Sequence, residues 1–537
     1  MRKIPLLGDE AIARGAIDAG ISGIYAYPGT PSTEILEYVQ HSKEAKERQI
    51  HCTWSANEKT AMEAALGMSY AGKRAIVCMK HVGLNVAADP FMNSAITEAN
   101  GGLIVVSADD PSMHSSQNEQ DSRYYGKFAM VPIFEPSNQQ EAYDMTYEGF
   151  AFSEKYKTPV LLRITTRLAH SRADVMRREF LEQNAISLPQ NPIQFVLLPS
   201  NARKQYKILL EKQKHLEAEA EESKYNIYFY GEDKSLGIIA SGIAYNYVME
   251  NYNDKELHFP LLKISQYPLP KSYIEKITKE CAEILVIEEG YPFIEDSIKG
   301  ILSKGLKVRG RLDGTLPRDG ELNPNIVAKA LGLPQKPIKP IPEIVKPRPP
   351  QLCGGCPHID SYKALNEAIA DLSKGRVFSD IGCYTLGALP PFNSINSCVD
   401  MGASITMAKG AADAGIVPAI AVIGDSTFTH SGITGLLDAV VNKSPITVLI
   451  LDNETTAMTG GQASAATNRL ENICLGVGVE PEHIRVIEPL KKNHNEFVRI
   501  LKEELSYNGV SVVIPRRECV VTLTQKKKEQ KKINVKQ

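Results

Sequence analysis

Two oxygen donors in a glycine-rich frame mark the part of this sequence best suited to chemistry. Residues 424–461 read GDSTFTHSGITGLLDAVVNKSPITVLILDNETTAMTGG. The apolar run before them, residues 418–423, reads as a buried strand ending in a Gly-Asp turn. Residues 432–441 have helical spacing. Residues 446–451 form a second short apolar run, rich in β-branched side chains, that ends at Asp452-Asn453. Two strands would then deliver Asp425 and Asn453 from their C-terminal ends with a helix between them, where an open α/β sheet binds ligands. A carboxylate and an amide oxygen are hard donors that suit Mg²⁺ or Ca²⁺, and Mg²⁺ in turn suits a diphosphate. Gly424 would let the backbone approach a phosphate closely.

Gly-Asp on its own is an ordinary turn. Here Gly424-Asp425-Ser426, the interval to Asn453 and the closing Thr-Ala-Met-Thr-Gly-Gly resemble the thiamine diphosphate signature, GDG or GDS followed by Asn. The resemblance implies that Asp425, Asn453 and the backbone carbonyl of Thr455 hold the metal. It also places Gly424, Ser426 and Met458 against the cofactor. Thiamine diphosphate enzymes supply one carboxylate to the aminopyrimidine from a separate α/β domain. Ser55-Ala56-Asn57-Glu58-Lys59 resembles the helix start that carries it, which makes Glu58 the activating acid. As an isolated residue Glu58 would be only a first-turn acid favoured by the helix dipole.

Cysteines offer a second chemistry. Cys353-Gly354-Gly355-Cys356-Pro357-His358 can turn tightly enough for two thiolates to face one metal. Zinc would need another pair, or Cys and His, with His358 a candidate. An iron–sulfur cluster would need four thiolates. Cys383 follows the strand expected at residues 377–379 and completes a three-cysteine core. Cys474 is the fourth ligand expected for one [4Fe–4S] cluster, with Cys398 as its substitute. A redox dithiol or unligated core cysteines remain alternatives.

The elements that must position these groups are of one kind. Residues 1 to about 165 alternate helix and strand: a helix over 8–19, strands at 24–27, 75–79, 103–107 and 159–164, and an Ala-rich helix over 57–70. Tyr27-Pro28-Gly29-Thr30-Pro31-Ser32-Thr33 turns into a further helix. Lys80 to Asn85 follows a strand and is expected to be a loop, in which His81 could reach a substrate carboxylate or serve as a hydrogen-bonded loop residue. Residues 203–222, rich in Lys and Glu, read as a solvated connecting helix. Strands at 236–240, 260–264 and 284–288 make a second, smaller α/β unit. Seven prolines between 334 and 350 read as an extended linker. The Lys-rich residues 526–537 read as a disordered tail.

The expected fold is α/β, with three domains of mostly parallel sheet. These are a pyrimidine-binding module over 1–190, a unit over 195–330 and a diphosphate-binding module over 351–519, with a linker at 333–350 and a basic tail at 520–537. At 537 residues, 43% hydrophobic, 23% charged and net charge −2, the composition is that of a soluble globular protein. It carries no global field for nucleic acid or membrane. No apolar run reaches the roughly 18 residues of a membrane helix, and no signal peptide is evident. The expected location is cytoplasmic, where nine cysteines are reduced or metal-bound.

Taken together, YPGTPST (27–33), SANEK (55–59), KHVGLNVAADP (80–90), LCGGCPH (352–358), DIGCYTLGA (380–388) and TAMTGGQ (456–462) resemble one family. It is the large, alpha subunit of indolepyruvate:ferredoxin oxidoreductases, among the 2-oxoacid:ferredoxin oxidoreductases. The resemblance runs to about residue 519. It implies oxidative decarboxylation of aryl pyruvates to aryl-acetyl-CoA with electrons passed to ferredoxin. Thiamine diphosphate and Mg²⁺ are the implied cofactors. Thr30 would contact the cofactor, and residues 195–330 would match a transketolase-C-like domain. The implied partners are a small beta subunit, ferredoxin, coenzyme A and the 2-oxoacid, in an (αβ)₂ assembly.

One departure bears on electron flow. The family's usual ferredoxin-like domain, with two CxxCxxCxxxCP runs, has no counterpart here, since Cys519 is the only cysteine beyond Cys474. The resemblance then predicts a relay supplied by a partner, a single cluster near Cys353, or a lost route. Rival functions are a non-oxidative thiamine-dependent 2-oxoacid decarboxylase or carboligase, and a degenerate regulatory subunit.

Overall fold

The computed structural model describes residues 3–191, 194–252, 256–298, 306–317, 319–338, 340–346, 351–398, 400–413 and 415–536. It divides into two compact units, Met1–Lys339 and Pro340–Gln537.

The first unit holds two large sheets. The larger has seven strands in the order Gln266–Tyr267, Ile133–Phe134, Val160–Thr165, Leu103–Asp109, Ala75–Lys80, Gly23–Ala26 and His51–Trp54. All neighbours run parallel except Gln266–Tyr267. Leu103–Asp109 and Val160–Thr165 are buried along their whole length, as strands with helices on both faces must be. The smaller sheet has the order Lys307–Arg309, Glu283–Ile287, Gly237–Ser241, Leu261–Ile264 and Ile227–Phe229, with only the last strand antiparallel.

Buried charge ties these two sheets together. Arg163 sits on strand Val160–Thr165. Its Nε lies 2.7 Å from Asp109 Oδ2 and its Nη1 2.5 Å from Glu135 Oε1. Its Nη2 donates to the Glu289 carbonyl at 3.0 Å. Arg123 pairs with Asp121 at 2.5 Å and with Glu288 at 3.0 Å. Both guanidiniums are fully buried. An ion inside a protein persists only when partners replace its water, and here those partners come from both sheets.

Three local expectations change. The expected loop around His81 is a short helix, His81–Val86. The connecting helix, Pro199–Glu221, is not solvated all round, because Gln205, Leu209, Lys212, Leu216 and Ala220 form a buried stripe at helical spacing. The basic tail is helical over Val520–Lys536 rather than disordered. Residues 347–350 of the proline-rich stretch lie outside the described residues. Among the described residues no helix is long and apolar enough to cross a membrane.

The second unit is built on one six-stranded parallel sheet, in the order Ser397–Cys398, Val377–Ser379, Ala419–Gly424, Ile446–Leu451, Val510–Pro515 and Ile484–Ile487. Side chains alternate between its two faces. Ala421, Ile423, Val448 and Ile450 enter one apolar cluster, while Ile420, Val422, Leu449 and Leu451 enter the other.

Replacing Arg163 by Met should leave Asp109 and Glu135 buried without their partner. The expected cost is about 3–5 kcal/mol, read as an earlier first transition in urea unfolding. A loss below about 1 kcal/mol would mean that the network does not hold the sheets together.

Candidate active site

The two strands that sequence reasoning singled out lie side by side. Ala419–Gly424 pairs in parallel with Ile446–Leu451, with Gly424 opposite Leu451. Asp425 and Asn453 therefore leave the same sheet edge. The Asn453 side-chain oxygen lies 2.8 Å from the Thr455 carbonyl oxygen and 3.3 Å from Asp425 Oδ1. Three oxygens facing one another repel unless something positive lies among them. With no cation the amide does better turned over, so that its NH₂ donates to both. Asp425 Oδ2 is buried without a hydrogen-bond partner. Burial, then the nearby Asp452, push the Asp425 carboxyl up to about 7. This donor set fits a hard divalent cation.

The surrounding loops explain the glycine and serine of the turn. A β-carbon on Gly424 would lie 2.5 Å from the Tyr384 ring, so the residue admits Tyr384 across the strand end. Phosphate access was the reason expected from sequence, and the structure supplies this second one. Thr427 Oγ1 donates to the Ile381 carbonyl at 3.1 Å, tying the turn to the DIGCYT loop. Ser426 Oγ and Thr456 Oγ1 lie 2.9 Å apart. Met458 stands 61% exposed on a short 3₁₀ turn, Ala457–Thr459.

In the first unit a second set gathers at strand ends. Glu58 begins helix Glu58–Tyr70, whose cap is Asn57 accepting from the Thr60 N–H at 2.8 Å. Its carboxylate is buried against Gly83, where a β-carbon would lie 2.6 Å from Glu58 Oε1. His81 is buried, with Nε2 3.2 Å from the Asn118 carbonyl and Nδ1 without a partner. The Lys80 ammonium donates to the Ser115 carbonyl at 2.9 Å, and burial lowers its pKa against the pull of Asp110 and Glu58. Ser115 Oγ in turn donates to the Thr30 carbonyl at 3.2 Å. Thr30, Glu58 and His81 thus share one sheet edge, joined through Lys80, Gly83 and Ser115. Sequence reasoning missed these three joining roles, although Lys80 and Gly83 lie within the quoted KHVGLN motif.

Comparison with known proteins bears directly on these two sets. A family model described as "Pyruvate flavodoxin/ferredoxin oxidoreductase, thiamine diP-bdg" matches residues 14–220. A second, "Thiamine pyrophosphate enzyme, C-terminal TPP binding domain", matches residues 380–514. The chain is 41% identical to an indolepyruvate oxidoreductase subunit IorA of Archaeoglobus fulgidus, over 99% of this chain and 89% of that one. It is 39% identical to the IorA subunit of Methanothermobacter thermautotrophicus, over 97% and 87%. The chain belongs to the indolepyruvate oxidoreductase subunit IorA family. The sequence resemblance is borne out, and thiamine diphosphate is the cofactor its two matched domains are built to bind. A solved 2-oxoglutarate:ferredoxin oxidoreductase from Magnetococcus marinus shares the fold, with TM-score 0.52 and 18% identity over 62% of this chain and 65% of that one.

In this IorA-family chain Cys353, Cys356 and Cys519 are near enough to Cys383 to raise its pKa, and Cys474, expected as the fourth ligand, is not among them. Cys356 caps helix Pro357–Ala368, and its N–H donates to the Cys353 carbonyl at 3.0 Å. Arg517 reaches back to the Gly355 carbonyl at 3.2 Å and to Asp360 at 3.0 Å, which brings Cys519 to the same turn. The Cys383 thiol is pushed up to about 12 by burial, then by Cys356, Cys519 and Cys353. The Cys356 thiol is pushed up to about 11 by burial, with Cys353 and Cys519 adding to it. Cys474 is instead buried in the apolar cluster with Leu470 and Ile450, on the sheet face opposite the one that helix Pro357–Ala368 covers. Cys398 lies at the edge strand with its thiol 3.7 Å from the Asp380 carbonyl. His358, a possible zinc ligand from its spacing, faces Asn453 at 3.4 Å, and burial lowers its pKa to about 4.

Two expectations follow. Gly83→Ala should push the Glu58 carboxylate aside and slow C2–H exchange of bound thiamine diphosphate by about 10²-fold, the cost of a small misplacement. An unchanged exchange rate by NMR would detach Glu58 from the cofactor. The raised Asp425 pKa also has a sign. In metal-free protein the folded state holds the proton better, so this contribution is present below pH ~4 and lost as pH rises toward 7, about 4 kcal/mol in all. Denaturation from pH 4 to 8 should show that loss, and saturating Mg²⁺ with thiamine diphosphate should flatten it.

Proposed function

We propose that the chain is the cofactor-binding large subunit of an indolepyruvate-type 2-oxoacid:ferredoxin oxidoreductase. It decarboxylates aryl pyruvates oxidatively, yields aryl-acetyl-CoA and passes two electrons, one at a time, to ferredoxin. The observation that carries the reading is the convergence of Asp425, Asn453 and the Thr455 carbonyl. It occurs in a chain 41% identical over 99% of its length to an indolepyruvate oxidoreductase subunit.

Thiamine diphosphate, when bound, supplies the carbanion-stabilising chemistry. The chain's own residues bind, orient and handle protons. Asp425, Asn453 and Thr455 would hold Mg²⁺ against the diphosphate, with Gly424, Ser426 and Met458 lining it and Thr30 touching the cofactor from the first unit's motif. Glu58 would sit at the aminopyrimidine N1′, where a buried carboxylate stabilises the protonated ring. His81 holds or moves a proton near the substrate carboxylate through its unpartnered Nδ1. Cys353, Cys356, Cys383 and Cys519 would ligate one [4Fe–4S] cluster. A small beta subunit completes the enzyme as (αβ)₂, with coenzyme A as acyl acceptor.

The test is anaerobic co-purification with the small partner, followed by assay with indolepyruvate, coenzyme A and ferredoxin. Asp425→Ala should lose thiamine diphosphate, and Glu58→Gln should keep it while losing turnover. Cys519→Ala should lose the iron and its low-temperature EPR signal while Cys474→Ala keeps both. Carbon dioxide release that needs no electron acceptor would sink the oxidative reading. Full iron in Cys519→Ala would sink the ligand assignment.

A further inference from the structure

Three helix ends meet in the first unit, and three ligand-type side chains meet with them. Helix Gly8–Asp18 begins with Asp9 in its first turn, helix Thr33–His41 carries Glu34 in its first turn, and Thr166–His170 ends in His170. Gly8 permits the approach, because a β-carbon there would lie 2.2 Å from the Leu168 carbonyl oxygen. Its N–H donates to the Ser171 carbonyl at 3.2 Å. One oxygen of Asp9, one of Glu34 and one ring nitrogen of His170 all lie within 4.8 Å of one another. His170 Nε2 stands 3.7 Å from Glu34 Oε1.

Asp9 sets this group apart from an ordinary surface cluster. Its side chain is 0% exposed, and neither carboxylate oxygen has a hydrogen-bond partner. Glu34 Oε2 is likewise buried without one. A buried carboxylate with no donor is costly, and proteins hold such groups against a cation or a proton. Glu10 adds a further negative charge nearby, its own carboxylate accepting from the Leu7 N–H at 2.8 Å and facing Arg172 at 3.5 Å. Burial, Glu34 and Glu10 all push the Asp9 pKa well above the usual carboxylate range. A positive ion among the three side chains would reverse that imbalance.

We infer that Asp9, Glu34 and His170 form a divalent-cation site. Two carboxylates and one imidazole make a mixed oxygen and nitrogen set, which suits a borderline first-row ion such as Zn²⁺, with water completing the shell on the exposed His170 side. This donor set differs from the all-oxygen set at Asp425 and from the thiols around Cys356. Glu34 follows the Thr30 turn, so the ion would fix that turn and the start of helix Thr33–His41 against helix Gly8–Asp18.

Because zinc also binds thiols, Co²⁺ is the useful probe, added to the holoenzyme and to its Asp9→Asn and His170→Gln variants. His170 is partly exposed, so its variant keeps the fold even if the Asp9 variant does not. The wild type should take up one Co²⁺ with visible d–d bands and no thiolate charge-transfer band. Either variant should weaken that binding by more than about tenfold, the loss seen even for an outer-sphere partner, with iron and thiamine diphosphate contents unchanged. Zn²⁺ should raise the melting temperature of the wild type but not of His170→Gln. Identical Co²⁺ titrations and Zn²⁺ shifts in wild type and His170→Gln would overturn the proposal, leaving Asp9 as a carboxyl that keeps its own proton.

Discussion

A carboxylate at the end of a strand buried on both faces must be balanced, and much of the second unit is arranged around that constraint. Asp425 sits buried where strand Ala419–Gly424 stops, next to the Gly424 that packs against the Tyr384 ring. Backbone N–H groups at the strand end offset part of its charge, but Oδ2 is left over. The Thr455 carbonyl adds another oxygen to the same space, and Asn453 can face the two with its own oxygen around a cation or with its NH₂ when none is there. Such an arrangement is poor as an apo structure and good as half of a cation shell. The parallel sheet is what makes it possible, since parallel neighbours present their C-terminal ends on the same edge.

The first unit meets a related problem with arginine. Asp109, Asp121, Glu135, Glu288 and Glu289 are buried where the two sheets meet, and Arg123, Arg163 and Arg311 lie among them. Burial pushes Glu288 and Glu289 up to about 7, against the pull of Arg123 and Arg311. Asp109 is the last residue of strand Leu103–Asp109, and the following Asp110 carboxylate accepts from the Ser115 N–H at 2.8 Å. The 110–118 loop then supplies the carbonyls that receive Lys80 and His81. The charge network is therefore one step from the Glu58 edge.

Local signals were strong wherever one element decides the outcome. The alternation of apolar runs with amphipathic helices predicted parallel α/β sheets, and strands 418–423 and 446–451 appear as Ala419–Gly424 and Ile446–Leu451. Asn57 reads as a cap and is one. The signal failed where short polar sequence is shaped by neighbours. Lys80 to Asn85 has the composition of a loop, yet His81–Val86 is helical, with Gly83 packed closely against Glu58. The Lys-rich end has little apolar content to suggest a helix, and it is one.

The sequence by itself determined the fold class, the family and the residue types of the proposed diphosphate site, because motifs of contiguous residues at strand ends carry that information. Only the tertiary structure decided which cysteines meet. Cys474 and Cys519 look equivalent as late, isolated cysteines, but side chains on a sheet and its covering helices are sorted to two faces. Helix Leu470–Gly476 turns Cys474 into the apolar cluster of one face, while the Arg517 contacts to Gly355 and Asp360 carry Cys519 to the CxxC turn. The same holds for Asp9, Glu34 and His170, which are far apart along the chain and share no motif. Their meeting depends on Gly8 letting one helix start against the end of another, a contact between backbones that no local pattern encodes.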